Sequence, residues 1–214
     1  NQRQLINGVE KHFVVNHLGH FVLVNRLLDR LFLSEQGRIV VVASRAAYRG
    51  APSVGIDFDD LGMSRAYSDS AAYGQSKLAN VLFSLRLAEL LRGTGITSNS
   101  LHPGVINTDI DRNLNPVTRV GFGLLTRIAG KTIPQGAATN CYVATSPALD
   151  AVSGHYFEDC NAITIAEPSH MHDMAMAAKL MQISEELTAD YLVEQEPQDW
   201  SEVENVLPPN KEDS

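Results

Sequence analysis

Apolar residues recur at helical spacing in several stretches of the chain. From Leu5 to Leu33 they return at steps of three and four residues, which predicts one long helix. A broad apolar stripe from about Ala71 to Arg92 predicts a second helix, and the pattern from Met174 to Leu192 predicts a terminal one. Pro134 begins a further predicted helix that reaches about Thr145. Helices therefore account for much of the predicted structure.

Short β-branched or aromatic runs separate these helices. Ile39–Ser44 is apolar at consecutive positions, which is typical of a strand that is covered on both faces. Ile96–Leu101 and Gly154–Phe157 are two further predicted strands, and residues 45–70 form an irregular connection. Alternation of helix and strand predicts right-handed crossovers and a parallel sheet with helices on both faces.

The order of elements predicts an α/β fold that lacks its beginning. A doubly wound dinucleotide-binding domain starts with a strand, a glycine-rich turn and a helix that receives the pyrophosphate. No G-x-G-x-x-G cluster occurs in this chain, which begins at Asn1. We therefore expect residues 1–193 to be the C-terminal part of a doubly wound parallel-sheet (Rossmann) domain.

The charge balance narrows the classes of partner. The formal net charge is -8 and the isoelectric point is about 5.3, which argues against nucleic acid and anionic membrane surfaces as ligands. Acidic residues and prolines concentrate in 194–214, which we expect to be a flexible tail. Cys141 and Cys160 lack C-x-x-C spacing and suit a reducing, cytoplasmic setting. No apolar stretch is long enough to predict a membrane span.

Tyr73 and Lys77 form the pair with the clearest chemistry. Four residues apart near the start of a helix, they emerge on the same helical face. A phenol with its ordinary pKa of about 10 is a poor acid or base near neutrality. An adjacent ammonium favours the phenolate, so this spacing predicts a tyrosine that can transfer protons.

The surroundings of this pair resemble the active-site helix of the short-chain dehydrogenase/reductase family. The resemblance covers AYGQSKLAN around Tyr73, and three other segments match the same family in the right order: NHLGHF from Asn16, VAS ending at Ser44, and HPG from His102. The closest likeness is to the retinol dehydrogenase-like branch, through SKLANVLF, HPGV and GHYFEDC. It spans roughly residues 5 to 190.

The resemblance implies an NAD(P)-dependent oxidoreductase that moves a hydride between nicotinamide and an alcohol, aldehyde or ketone. It implies that Tyr73 is the acid or base, that Lys77 holds the nicotinamide ribose, that Ser44 polarises the substrate oxygen, and that Asn16 holds a water that links Lys77 to solvent. A serine at a strand end is also a common turn former, and an asparagine in a helix is often only a satisfied polar residue.

The HPG segment is implied to be the nicotinamide-side loop. By resemblance, Pro103 and Gly104 begin it, the backbone of Ile106 meets the carboxamide, and the Thr108 hydroxyl lies near the cofactor. The family branch favours NADP(H) over NAD(H) and lipophilic substrates. The residues that select between the two cofactors would precede Asn1, and a homo-oligomer is left open.

Other functions compete with this interpretation. His17 with His20, or His170 with His172 and Asp173, could suggest a metal site, but no H-E-x-x-H pattern completes a ligand set and none is predicted. Ser44 lacks the G-x-S-x-G elbow of α/β-hydrolases. The main alternative is a catalytically silent family member that binds a nucleotide or acts as a scaffold, and the presence of the four implied catalytic residues argues against it.

Overall fold

The computed structural model describes residues 2–105 and 130–192, and its first element is a hairpin. Strands β1 (Leu5–Ile6) and β2 (Val9–Glu10) pair antiparallel through Asn7 and Gly8, both at positive φ. Asn-Gly favours this two-residue turn. The prediction of a helix from Leu5 was therefore wrong, because this local turn signal outweighs the apolar spacing.

The long helical region begins at Lys11. The Glu10 side chain caps it by accepting hydrogen bonds from the backbone amides of His12 and Phe13. Helix α1 (Lys11–Phe13) runs into a π-helical turn (Val14–Leu18) and then into α2 (Gly19–Phe32). The predicted end of this helix near Leu33 is confirmed, since Leu33 is its C-cap.

A four-stranded sheet forms the centre of the fold. Strands β3 (Arg38–Val42), β4 (Thr97–His102) and β5 (Tyr156–Glu158) pair in parallel, and β6 (Asn161–Ile163) adds antiparallel to β5. The parallel part agrees with the sequence prediction, and the terminal antiparallel strand was not anticipated. The predicted α/β architecture is confirmed.

Helices cover both faces of this sheet. A short helix, α3 (Ala46–Arg49), follows β3 and packs on helix α4 (Asp69–Leu90). Helix α4 packs on β3 and β4 and also contacts the terminal helix, and α5 (Ile133–Thr145) packs on the three parallel strands. The α4 side holds the larger core, and a smaller cluster lies around Leu101, Val143, Leu149 and Phe157. Two separate apolar clusters are what a doubly wound arrangement requires.

The helix ends follow local capping signals. Ser68 accepts a hydrogen bond from the Ala71 amide at the start of α4, and Thr132 with Gln135 forms a capping box at the start of α5. Helix α6 (Met174–Leu192) has the predicted bounds. Within the two described ranges, none of the helices is both long and apolar enough to cross a membrane.

Candidate active site

The polar residues of the site gather where the parallel strands end. Ser44 follows β3, His102 ends β4, and Glu158 ends β5. The carboxyl ends of parallel strands lie along one edge of a sheet, where ligands of open α/β sheets bind. Helix α4 crosses behind β3 and brings its first turns, with Tyr73, to the same edge.

Tyr73 and Lys77 lie together on α4. The Lys77 Nζ is 5.7 Å from the centroid of the Tyr73 ring and donates a hydrogen bond of 3.1 Å to the Val42 carbonyl oxygen at the end of β3. The lysine is buried, whereas the tyrosine is half-buried. Burial lowers the pKa of the Lys77 ammonium. The predicted pair is therefore brought together in the structure, with its cation fixed to the sheet.

Asn16 lies inside the π-helical turn that interrupts the first long helix. Its Nδ2 donates to Ser76 Oγ at 3.0 Å, and Ser76 Oγ donates to the Tyr73 carbonyl oxygen at 2.8 Å. A π-helical turn often marks a functional position, because it displaces a side chain from the regular helical face. Asn16 is thus coupled to the turn of α4 that carries Tyr73 and Lys77.

Ser44 makes a local contact at the end of β3. Its Oγ accepts a hydrogen bond of 3.2 Å from the Ala46 amide, and the residue is half-buried. Among the described residues, no hydrogen bond joins Ser44 to Tyr73 or Lys77. The Ser44 hydroxyl therefore contacts the turn that follows β3, and its hydrogen is not used by the Ala46 contact.

The loop after β4 is closed by Lys131. The Lys131 amide donates to the Val105 carbonyl at 2.8 Å, and its Nζ donates to the Pro103 carbonyl at 3.3 Å and pairs with Asp159. Gly104 has a φ of 99°, and a Cβ there would lie 2.5 Å from the Lys131 side chain. This positive φ favours glycine, because a residue with a Cβ is strained in that conformation. The predicted contacts of Ile106 and Thr108 lie outside the described residues.

Sequence reasoning gave no chemical role to Ser76 or Asn80. Ser76 is the link between Asn16 and Tyr73, and Asn80 Nδ2 donates to the same Val42 carbonyl as Lys77, at 3.1 Å. Both are fully buried. Polar residues on the buried face of a helix need partners, and that was the signal available in the sequence.

A buried carboxylate organises the far side of the site. Glu158 accepts hydrogen bonds from Arg45 Nε at 2.6 Å, Tyr48 Oη at 3.0 Å and Tyr156 Oη at 3.1 Å. Burial, followed by the contact with Glu158, raises the pKa of Tyr48, and burial lowers the pKa of His102 nearby. The network joins Arg45, which follows Ser44, to the end of β5 and so fixes the distance between the ends of β3 and β5.

His17, one of the histidines weighed as a metal ligand, lies in the core. Its Nε2 is 2.8 Å from Ser184 Oγ on α6, and its ring packs against Phe13 and Phe83. Burial lowers the pKa of His17 to about 3, and the nearby Asn80 side chain opposes this shift only in part. His17 is therefore neutral and joins α6 to the helix that carries Asn16.

This burial predicts a pH dependence of stability. The folded pKa of His17 lies below its unfolded value of about 6.5, so its contribution is complete above that pH and is lost as the pH falls toward 3. Between pH 6 and pH 4 we expect the free energy of unfolding to fall by about 1.4 kcal/mol per pH unit from this residue. Urea unfolding of wild type and His17→Leu at several pH values checks this. The free energy of unfolding should depend less steeply on pH in the variant, because the variant lacks the imidazole. Equal slopes would contradict the neutral, buried histidine.

Comparison with known proteins assigns the chain to a family. No family model matches it. Over 181 residues it is 44% identical to retinol dehydrogenase 14 of Homo sapiens. The aligned residues make up 84% of this chain and 52% of that protein. It is 43% identical over 189 residues to short-chain dehydrogenase TIC 32 B, chloroplastic, of Brassica napus, covering 83% of this chain and 57% of that protein. The chain belongs to the short-chain dehydrogenase/reductase family.

A solved structure has a similar fold. The crystal structure of an uncharacterized protein from Mycobacterium paratuberculosis superposes with a TM-score of 0.60 at 28% identity, over 88% of this chain and 63% of that one. The likeness to the retinol dehydrogenase-like members of the short-chain dehydrogenases is confirmed. The chain spans about half the length of the curated relatives it matches.

Proposed function

We propose that the whole protein is an NAD(P)-dependent oxidoreductase that uses Tyr73 to move a proton to or from an alcohol or carbonyl substrate. The observation that carries the proposal is the buried Lys77 ammonium, which lies 5.7 Å from the centre of the Tyr73 ring and is fixed to the end of β3. A nicotinamide, when bound, supplies or accepts the hydride. Membership of the short-chain dehydrogenase/reductase family supports this reaction class.

The residues present fit a nicotinamide nucleotide. Among the described residues, Lys77 donates one hydrogen bond, to Val42, and an ammonium has three donors. The remaining donors suit ribose hydroxyls at the edge where open α/β sheets bind nucleotides. Pro103 and Gly104 follow the end of β4 at the same edge of the sheet. NADP(H) is proposed in preference to NAD(H), as the resemblance to the family branch implies.

Tyr73 is the proposed proton donor to a carbonyl oxygen, or the acceptor from an alcohol. The nearby Lys77 ammonium stabilises the phenolate that remains after donation. Ser44 is proposed to donate its hydroxyl hydrogen to the same substrate oxygen, because its Oγ is already oriented by the Ala46 amide. Both donors then act on the oxygen where negative charge develops.

Asn16 is proposed to position a water that exchanges protons with Lys77. The π-helical turn and the hydrogen bond to Ser76 fix its side chain beside the α4 turn that holds both residues. A lysine whose pKa is lowered by burial exchanges its proton more readily than an exposed one. This arrangement supports a proton path from the site to solvent.

Removing the Asn16 amide tests this path. We expect Asn16→Ala to lower kcat about 10- to 100-fold, because both the relay and the position of the α4 turn depend on the side chain. Asn25→Ala is the matched control, since Asn25 lies on the same helical region and, within the part of the chain that the structure describes, its side chain bonds the Phe21 carbonyl alone. Steady-state kinetics of the two variants in the whole protein decide the matter. Equal kcat values would remove Asn16 from the mechanism.

A lipophilic alcohol, aldehyde or ketone is the proposed substrate class. The support is the likeness to a protein named retinol dehydrogenase 14, which acts on an apolar alcohol by its name. The first experiment titrates the whole protein with NADPH and with NADH, following nicotinamide fluorescence, and then offers a panel of lipophilic and small polar carbonyls. Turnover restricted to the lipophilic compounds supports the proposal. Tight cofactor binding without turnover of any carbonyl favours the silent nucleotide-binding alternative, and no cofactor binding contradicts both.

A further inference from the structure

An imidazole that the proposed mechanism does not use lies beside Tyr73, and a buried carboxylate holds it. Glu10 is 1% exposed, and its Oε1 is 3.0 Å from His12 Nδ1. The other oxygen, Oε2, accepts from the backbone amides of His12 at 2.7 Å and Phe13 at 3.4 Å. Both carboxylate oxygens are therefore engaged. The contact from Oε1 orients the His12 ring, since an imidazole held by one nitrogen has little freedom to turn.

The oriented imidazole meets the ring of Tyr73. The two ring centroids are 6.1 Å apart with an interplanar angle of 78°, which is the edge-to-face arrangement that aromatic pairs prefer. Lys77 Nζ lies 5.7 Å from the centroid of the same ring. The phenol ring of Tyr73 thus has one ring contact from α1 and one cation contact from its own helix.

His12 lies on the wall of a cleft that also reaches Asn16. The cleft has a volume of about 460 Å³, and Glu10, Tyr67 and Asp69 line it too. The His12 side chain is 32% exposed, so most of it is packed against its neighbours. The adjacent Phe13 is fully buried and holds this part of the chain in the core. A test of His12 therefore has to separate a loss of packing from a loss of ring positioning.

We infer that His12, oriented by Glu10, is a positioning residue that fixes the ring of Tyr73 for proton transfer. The inference rests on the proposed role of Tyr73 as acid or base. A ring that samples several rotamers spends less time in the reactive geometry, and the cost appears in kcat. The affinity for cofactor is not expected to change, because no contact among the described residues joins His12 to Lys77, which is proposed to hold the nicotinamide ribose. The affinity for substrate is expected to change little, because the described contact of His12 is with the ring of Tyr73.

The kinetic test compares three variants of the whole protein. We expect His12→Ala to lower kcat about five- to tenfold, the range that an edge-to-face contact supports, with KM values within about twofold. His12→Phe restores the ring edge and should recover most of kcat. Lys11→Ala is the matched control, because Lys11 lines the same cleft but bonds Gln4 rather than contacting Tyr73. Thermal unfolding of each variant has to show that it is folded at the assay temperature, because His12 is mostly buried and bonded to Glu10.

A second readout does not depend on turnover. In protein labelled with ¹³C in its tyrosine rings, the Tyr73 signal is identified by its loss in Tyr73→Phe. The ring at position 12 should shift this signal in wild type and in His12→Phe, and the signal should move in His12→Ala. An unmoved signal, or equal kcat in His12→Ala and wild type, overturns the inference. A fully active Tyr73→Phe instead overturns the proposed function, whatever His12 does.

Discussion

Tyr73→Phe is expected to lower kcat of the whole protein by about 10³-fold while leaving cofactor binding within a few-fold of wild type. The substitution removes only the hydroxyl that exchanges the proton, and general acid or base catalysis contributes about 10² to 10⁴. The ring itself remains half-buried between its neighbours on α1 and α4, so the fold should persist. Stopped-flow or steady-state oxidation of NADPH with the best carbonyl of the panel measures the effect.

The control for this variant is Tyr142→Phe. Tyr142 packs against Phe157 in the smaller core on the other face of the sheet, away from Tyr73. Its variant should keep full activity. If Tyr73→Phe were also fully active, Tyr73 would not be the acid or base, and another residue would have to transfer the proton.

Lys77→Met is expected to damage both catalysis and cofactor binding. The methionine keeps the apolar stem but removes the ammonium that is buried near the Tyr73 ring and bonded to Val42. Because a charged hydrogen bond is lost, we expect a Kd for the cofactor that is about tenfold weaker. Because the phenolate loses the cation that stabilises it, we expect kcat to fall about 100-fold. Fluorescence titration and steady-state kinetics separate the two effects. Lys77→Arg should not restore activity, because the planar guanidinium does not replace a compact, buried ammonium.

Lys179 provides a control of the same chemical type. Its Nζ lies 4.8 Å from the centroid of the Phe58 ring, so Lys179→Met also removes a cation from an aromatic face, but on an exposed part of α6. We expect this variant to behave as wild type. A Lys77→Met protein with unchanged Kd and kcat would show that the buried cation is only structural.

The long regular elements of the fold could be predicted from the chain itself. The alternation of helix and strand and the apolar run of β3 indicated a parallel sheet, and the terminal helix has the predicted bounds. These elements are repeated patterns in which many residues agree. The hairpin at Asn7 was missed because a two-residue turn competed with an apolar periodicity that continued through it.

Strand β6 could not be predicted for a different reason. The turn before it is formed by Asp159 and Cys160, both at positive φ, and a cysteine in that conformation is not a turn signal. The strand that follows is only Asn161–Ile163 and has no clear alternation of apolar and polar residues. Its pairing depends on the neighbouring strand β5, which local sequence does not describe.

The site shows the same division between local pattern and tertiary contact. The spacing of Tyr73 and Lys77 on one helix fixed their proximity in advance, because residues four apart share a helical face. The contacts from Lys77 and Asn80 to Val42, and the link from Asn16 through Ser76, join segments far apart in sequence. Only the family resemblance indicated that Asn16 and Ser44 belong beside the pair, and their roles stay predictions.

Hydride transfer is the most direct test of the proposed function. The measurement is single-turnover reaction of NADPH, deuterated in turn at each face of C4, with the best lipophilic aldehyde, followed by mass spectrometry of the alcohol. We expect deuterium on the carbinol carbon for one face of the cofactor in the wild-type protein, and none within the same time in Tyr73→Phe. Bound NADPH with no deuterium in any product, or the same yield from both proteins, would contradict it.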